Sequence, residues 1–206
     1  MRLAVNATRM ELLRLRRRLA VALRGHKLLK DKQEELLRQF QRLVEENRQR
    51  RREVEERLGE AYQFLLFARG EMGICQVQEA VSLPSQRLEL KVGITRILNV
   101  EVPQIDWQVE GTPFSYSFAN TVSDLDIGLQ KLGELLPELI KLAQGEESIR
   151  RLAVEIERTR RRVNALEYIF IPNLKETIKY VTMKLSEIER SNVIRLMRIK
   201  ELVRSR

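Results

Sequence analysis

Two long apolar repeats, one at each end of the chain, constrain its fold more than any other feature. The first runs for more than seven heptads with only five polar members. Its members are Leu12, Leu15, Leu19, Ala22, His26, Leu29, Gln33, Leu36, Phe40, Leu43, Asn47, Arg50, Val54, Arg57, Ala61, Phe64 and Ala68. Alternating steps of three and four residues place these side chains on one seam of a helix, as in a coiled coil. At 1.5 Å per residue this helix would be about 80 Å long, and its seam needs a partner.

The second repeat follows the last glycine of the chain, Gly145, and supplies that partner. Its members are Ile149, Leu152, Ile156, Val163, Leu166 and Phe170, and then, one residue out of phase, Ile171, Leu174, Ile178, Val181, Leu185, Ile188 and Ile199. The phase slip lies beside Pro172, which lacks a backbone donor, so we expect a local bend with the helix continuing beyond it. Two seams at opposite ends of one chain fold back most simply as an antiparallel pair.

Local signals predict where the helices begin and end. Thr8 and Glu11 form a capping box, in which the hydroxyl accepts from the third helical amide and the carboxylate reaches back. The first helix should therefore begin near Thr8 and end between Ala68 and Gly73. We divide the chain into an N-terminal coiled-coil helix over residues 1–70, a head over 71–119 and a long C-terminal helix over 120–206. That last helix should run from about 120 to 203 and bend at its prolines.

The head combines a short helix with strands. Residues 74–83 have a helical pattern that Pro84 closes, whereas Leu88, Leu90 and Val92 alternate with charged residues, as in a strand. β-branched residues continue to Val109, and Phe114, Tyr116 and Phe118 alternate with serines after a turn at Gly111. We expect two or three short strands, with Pro103 at an edge or a break. The predicted fold class is mainly α, a long antiparallel two-helix coiled coil with a small β-hairpin-containing head.

Charge divides the chain in the same way. Residues 1–58 carry 17 Lys and Arg against 9 Asp and Glu, and residues 149–206 carry 15 against 7, so each arm has a net charge of +8. The middle, residues 59–148, carries 6 Lys and Arg against 13 Asp and Glu and is therefore acidic. The single cysteine, Cys75, excludes an internal disulfide and any multi-cysteine metal site. Without a signal peptide pattern or an apolar run of roughly 20 residues, we expect a cytoplasmic chain with no membrane insertion.

The residues that could carry chemistry are few. His26, the only histidine, lies on the apolar seam, where a histidine is more often packed than catalytic. The sequence contains no phosphate-binding loop, nucleophile elbow or metal-ligand spacing. We therefore expect no catalytic residue, no cofactor and no metal, and the chain should not be an enzyme by itself.

Three arginine triplets are the strongest charge features, at residues 16–18, 50–52 and 160–162. A solvated coiled-coil flank would account for many of them. Two sharper interpretations remain open. One is a basic coiled-coil module that binds nucleic acid through its phosphates. The other is a positively charged shaft held inside a protein ring.

Three motifs resemble those of a known family, the D subunits of the vacuolar and archaeal-type rotary ATPases. They are NATRMEL from Asn6, GHKLLKDKQEEL from Gly25, and TRRRVNALEY followed by IP from Thr159 to Pro172. The resemblance covers both arms, about two thirds of the chain, and departs at Ala7, where the family usually has proline. The motif residues that it assigns to the shaft are Thr8, Gly25, His26, Lys27, Asp31, Lys32, Arg160, Arg161, Arg162, Asn164, Glu167 and Pro172.

The resemblance implies a central-stalk rotor that transmits torque between ATP hydrolysis or synthesis in a hexamer of A and B subunits and proton or sodium ion translocation. Its partners would be the A and B subunits, the F subunit and a funnel-shaped adaptor on the membrane ring. The complex would hold it on the cytoplasmic face of the membrane, and no nucleic acid partner would be expected. Candidate contacts to the ring are Arg9, Arg14, Arg16, Arg17, Arg18, Arg190, Arg195 and Arg198. The acidic middle, with its strands from Arg87 to Val109, should face the F subunit and the adaptor, although the F subunit could instead grip the adjacent helices.

Overall fold

A computed structural model describes residues 5–82, 85–117 and 121–204. In chain order the elements are α1 (Arg9–Met72), α2 (Ile74–Val81), β1 (Arg87–Ile97), β2 (Val100–Glu110), α3 (Ser123–Asn164), a π-helical segment (Ala165–Phe170) and α4 (Ile171–Arg204). Helix accounts for 79% of the structure. The predicted fold class, mainly α with paired antiparallel helices and a central β-hairpin, is confirmed. None of the described helices is long and apolar enough to cross a membrane.

The first helix begins where its cap predicts. The Thr8 hydroxyl accepts a hydrogen bond from the Glu11 amide at 3.2 Å, which satisfies one of the amides left free at a helix start. The other half of the capping box differs, because the Glu11 carboxylate lies 3.5 Å from Arg14 and the Thr8 amide donates to the Asn6 carbonyl. The helix ends at Met72, before Gly73, whose φ of 84° lies in the left-handed region.

The phase slip of the second seam coincides with the π-helical segment. The Ile171 amide donates to the Leu166 carbonyl, a step of five residues in place of four. This step absorbs one extra residue, so the seam returns to the partner at Ile171 and Leu174. The helix continues through Pro172 as predicted, and also through Pro137 inside α3. Phe170, expected on the seam, is instead exposed, because the residue that reaches the core after Leu166 is Ile171.

The head contains one hairpin in which β1 and β2 pair antiparallel from Arg87 opposite Glu110 to Ile97 opposite Val100. Leu98 and Asn99 form the two-residue turn, both with positive φ as a hairpin turn of this length requires. Pro103 does not break β2, because it lies opposite Ile94, a non-hydrogen-bonded position of the ladder where no proline N–H is needed. Phe114 and Tyr116 lie in irregular structure rather than in a third strand, and Phe118 lies outside the described residues.

The chain divides into two compact units, each with its own core. The first comprises residues 1–35 and 156–206. Its apolar core cluster contains Leu15 and Ala22 of α1 and Ile171, Leu174 and Val181 of α4. An ion pair joins Arg9 to Glu189 of α4, and a contact joins His26 to Glu167 of the π-helical segment, so α1 runs antiparallel to this part of the C-terminal helix.

The second unit comprises residues 36–155 and contains the rest of α1, α2, the hairpin and most of α3. Here α3 contacts both α1 and β2, so its burial is not confined to one stripe. Leu135 and Ile140, which precede the second apolar repeat, are buried on this helix. Along α1, the polar seam members Arg50 and Arg57 are exposed, whereas Val54, Ala61 and Ala68 are buried.

Candidate functional site

The first candidate surface is the end of α4, which extends past its partner helix. Arg9 is the first residue of α1, and its guanidinium lies 2.7 Å from the Glu189 carboxylate. In an antiparallel pair, the residues of α4 after Glu189 therefore lie beyond the first residue of α1. Every residue from Ser186 to Arg204 is exposed. We call residues 186–204 the tip.

The tip mixes cations with apolar side chains that remain largely open to solvent. Eight of its apolar residues are between 47% and 70% exposed. They are Ile188, Val193, Ile194, Leu196, Met197, Ile199, Leu202 and Val203. Five cations alternate with them, namely Arg190, Arg195, Arg198, Lys200 and Arg204. A helix with this composition can make apolar and ionic contacts at the same time with a surrounding surface.

The apolar residues of the tip are not among the candidates that the sequence pattern singles out. Ile188 and Ile199 were expected on the buried seam, and both are exposed because α1 begins opposite Glu189. One sequence signal does mark this change. The second seam has no member in the eleven-residue step between Ile188 and Ile199, which indicates that pairing has stopped.

The predicted ring-contact arginines are all exposed and belong to two sets that adjoin at Arg9. From there, Arg14 and residues 16–18 follow α1 along the paired part of the unit. Arg195 and Arg198 lie in the opposite direction, on the tip. The positive surface is therefore spread along the end of the unit and is not one compact collar.

The motif residues from the two arms meet at the π-helical segment. His26 Nε2 lies 3.3 Å from Glu167 Oε2, within hydrogen-bonding distance. Gly25 beside it has open space around its Cα, whereas Lys27 and Asp31 are exposed and Lys32 is partly buried. Arg160, Arg161, Arg162, Asn164 and Pro172 are also exposed, with Arg161 paired to Glu157 within α3. Thr8 caps α1 as described.

The second candidate surface is one side of the hairpin. Leu88, Leu90, Val92 and Ile94 alternate along β1 and point to one face of the ribbon, which we call the open face of β1. Val92 and Ile94 are 69% and 68% exposed. Their cross-strand partners Ile105 and Pro103 are more buried, so the same apolar face is covered over β2 and uncovered over β1.

Polar contacts to α3 hold β2 in this position. The Arg151 guanidinium donates to the Glu101 carbonyl at 3.0 Å, and the Gln144 side-chain oxygen accepts from the Ile105 amide at 3.3 Å. The Lys141 ammonium lies 6.0 Å from the centre of the Trp107 ring. These three contacts follow β2 along α3, which explains why β1 overhangs on the outer side.

Two ionisable groups of the second unit have strongly shifted pKa values. Arg150 and Arg151 both donate to the Glu147 carboxylate and lower its pKa to about 2. Burial, followed by the hydrogen bond to Asp126, raises the pKa of Tyr116 above its ordinary range. The Tyr116 hydroxyl donates to Asp126 at 2.5 Å and so ties the irregular segment after β2 to the start of α3.

Comparison with known proteins identifies close relatives over almost the whole chain. The profile of the family of ATP synthase D subunits matches residues 11–201. The D subunit of a V-type ATP synthase from Acetivibrio thermocellus is 49% identical, over 97% of this chain and 91% of its own length. Those of Thermoanaerobacter sp. strain X514 and Clostridium botulinum strain Alaska E43 are each 47% identical. The first comparison covers 97% of this chain and 96% of the relative, and the second 100% and 99%.

Proposed function

This chain belongs to the family of ATP synthase D subunits, and we propose that it is the central rotor shaft of a V-type ATP synthase. Within that complex it would carry torque between the nucleotide-binding A and B subunits and the ring that moves protons or sodium ions. The chain would itself be non-catalytic. ATP chemistry would remain on the A and B subunits, and the complex would hold this chain at the membrane without insertion.

The observation that carries the proposal is the exposed tip. A solvent-facing helix end with eight apolar and five cationic side chains is unfavourable in water unless something surrounds it. A shaft end turning inside a ring needs many weak contacts, because one strong contact would hold it at one angle. Mixed apolar and arginine contacts around a single helix satisfy this requirement.

The two candidate surfaces suggest where the proposed partners would bind. We assign the tip and the neighbouring arginines of α1 to the ring of A and B subunits. We assign the open face of β1, on the acidic middle of the chain, to the F subunit or the funnel-shaped adaptor. Uncovered apolar strands with a free edge commonly accept a partner.

Rotation can be observed directly through Cys75. This residue is the only cysteine of the chain and is exposed on α2. The chain is labelled at Cys75, assembled with A, B and F subunits, and attached to a gold particle while the ring is fixed to glass. We expect unidirectional rotation of the particle on addition of ATP. A particle that stays fixed while the complex hydrolyses ATP would contradict the rotor assignment.

Truncation after Glu189 tests the role of the tip. The remaining chain should keep its helix content and melting temperature, because the deleted residues that the structure describes are all exposed. Binding to the ring should weaken strongly. As a control, Arg190, Arg195 and Arg198 changed to Gln retain the apolar residues and separate the apolar from the ionic contribution. Salt-sensitive binding to DNA or RNA, without affinity for the ring, would instead support the nucleic-acid alternative.

A further inference from the structure

The glycines inside α1 and α3 fall into two groups according to the space around them. A Cβ placed on Gly25, Gly59, Gly70 or Gly133 would meet nothing within 4 Å. A Cβ on Gly145 would lie 2.5 Å from Asn47 Oδ1, and a Cβ on Gly128 would lie 2.9 Å from Leu65 Cδ2. Glycine weakens a helix relative to alanine. Gly128 and Gly145 therefore have a packing role that the other four lack within the chain.

The contact at Gly145 involves an unusual seam residue. Asn47 lies on the apolar seam of α1, and its Oδ1 is buried without a hydrogen bond from any residue that the structure describes. A polar residue at one seam position lowers stability but can specify how two helices align. Here the amide projects towards α3 at a position where only a glycine leaves room for it.

The contact at Gly128 is apolar and tighter against the backbone. The Leu65 side chain fills the space above the glycine, and the Leu65 backbone nitrogen would lie 3.4 Å from an added Cβ. The added Cβ would also lie 3.0 Å from Leu65 Cγ, so the leucine side chain would have to shift from its branch point. α1 and α3 therefore approach each other closely at this point.

Both contacts specify the same alignment. Asn47 and Leu65 are 18 residues apart on α1, and Gly145 and Gly128 are 17 apart on the antiparallel α3. A slide of four residues, about one helical turn, would bring Asn47 against Lys141 or Ile149 and Leu65 against Asp124 or Leu132. Each of these positions carries a side chain where the glycine now leaves space. A heptad seam fixes the rotation of two helices but tolerates such a slide, so the glycines supply information that the seam lacks.

We propose that Asn47 on Gly145 and Leu65 on Gly128 form a two-point register lock that prevents α1 and α3 from sliding along each other. The lock transfers an axial or twisting load on one helix to the other without a change of alignment. Each contact is a side chain seated in a gap in the opposite helix. The inference concerns α1 and α3 alone and does not rest on the proposed function.

Thermal unfolding of the full chain tests the lock with a matched control. Gly133→Ala, in the same helix and with open space, should raise the melting temperature by about 2–4 °C, because alanine is the better helix former. Gly145→Ala and Gly128→Ala should lower it. If Gly145→Ala raises the melting temperature as much as Gly133→Ala does, the space above Gly145 is not needed to seat Asn47 and the proposal is wrong.

A second variant identifies Asn47 as the side chain that Gly145 accommodates. In the Asn47→Ala background, Gly145→Ala should raise the melting temperature as Gly133→Ala does, because the colliding amide is gone. This double variant also keeps the test informative if Gly145→Ala alone fails to fold. A decrease of equal size in both backgrounds would overturn the assigned pairing.

Chemical cross-linking measures the alignment itself. In a Cys75→Ser background, Glu60→Cys is combined with Lys131→Cys, since these two side chains form an ion pair at 2.7 Å. Two further pairs place the second cysteine at Ile127 or Glu134, about one turn to either side. A short bis-maleimide should favour the 60–131 pair in the otherwise native chain and with Gly133→Ala. With Gly128→Ala and Gly145→Ala combined, the yield of the 60–131 cross-link should fall, and the yield of one of the two shifted cross-links should rise. An unchanged preference would overturn the lock.

Discussion

Arg9 and Glu189 form a 2.7 Å ion pair that marks where the pairing of α1 with α4 ends. The pair is exposed, so its own contribution to stability is small. Its position is informative nevertheless, because it aligns the first residue of α1 with a residue well before the end of α4. The tip, most of which lies beyond this pair, is the part of the first unit that is most available to another protein.

The arginines near this pair should act together. If many weak contacts share the load, a single Arg→Ala change should have little effect on assembly or ATP turnover. Neutralising five should reduce both in a salt-sensitive way, because salt screens the ionic contacts that the native arginines make. The five to change to Gln are Arg16, Arg17, Arg18, Arg195 and Arg198. The matched control changes five exposed arginines of α1 in the other unit, Arg48, Arg50, Arg52, Arg57 and Arg69. One substitution that abolished coupling while assembly stayed intact would contradict a distributed contact.

The open face of β1 should bind a partner without contributing much to folding. Val92→Ser with Ile94→Ser should leave the melting temperature nearly unchanged, because both side chains are already exposed. Binding of the F subunit or of the adaptor should weaken by about tenfold or more, since each buried aliphatic side chain contributes roughly 1.5–3 kcal/mol. Lys91→Ser with Thr95→Ser changes the opposite face and serves as the control. Equal binding by both variants in calorimetry would exclude this face as the contact.

Tyr116→Phe should destabilise the second unit and change its behaviour in alkali. Removing the hydroxyl that donates to Asp126 should lower the free energy of unfolding by about 1–2 kcal/mol. Because the folded state raises the pKa of Tyr116, the native chain keeps this proton at a pH where the unfolded chain has lost it. The contribution is therefore complete below about pH 10 and declines above it. In denaturant titrations from pH 7 to 11, the difference in the free energy of unfolding between the native protein and the variant should become smaller only above pH 10.

Glu147 should support the hairpin by holding Arg151 in place. Its pKa of about 2 lies below the ordinary value, so its contribution to stability is present above about pH 4.5 and is lost as the pH falls towards 2. Glu147→Gln should remove this acid-dependent phase. Arg151→Ala should speed amide hydrogen exchange in β2 near Glu101, where the guanidinium meets the backbone. Arg161→Ala removes an ion pair within α3 without a contact to the hairpin and should leave that exchange unchanged.

The π-helical segment should tolerate a deletion that an ordinary helix does not. Removing Ile169 leaves a four-residue step from Leu166 to Ile171, so a regular α-helix would continue the seam. The deletion also places Pro172 in a regular helical turn, where a proline costs about 3 kcal/mol of stability. It should therefore be combined with Pro172→Ala. This double variant should melt close to Pro172→Ala alone. Removing Lys179 in the same background should lower the melting temperature sharply, because Val181 would leave the core. If the two deletions lowered the melting temperature equally, the π-helical segment would not be what absorbs the phase slip.

Much of this fold follows from local patterns in the sequence. A seam of apolar residues at helical spacing needs only its own period to form, which is why α1 and the continuous helix from α3 to α4 are predicted closely. The Thr8 cap, the strand-forming residues of the head and the phase slip at Phe170 and Ile171 are equally local. Each of these signals concerns neighbours along the chain, and no other element is needed to interpret it. The turn at Leu98 and Asn99 was not predicted, because it falls inside a run of β-branched residues that was interpreted as continuous.

The tertiary structure decided what local patterns leave open, namely which elements face each other and at what alignment. A seam fixes the rotation of a helix about its axis, but it is nearly unchanged by a slide of one heptad. Only the packed structure could therefore separate Gly145 from Gly133, or locate the end of the pairing at the contact between Arg9 and Glu189, near the step where the seam loses its members. The exposure of Val92 likewise depends on where β2 lies against α3. Sequence determined the helices and the hairpin because their hydrogen bonds and periods are local, whereas translation along a seam is fixed by steric fit between distant residues.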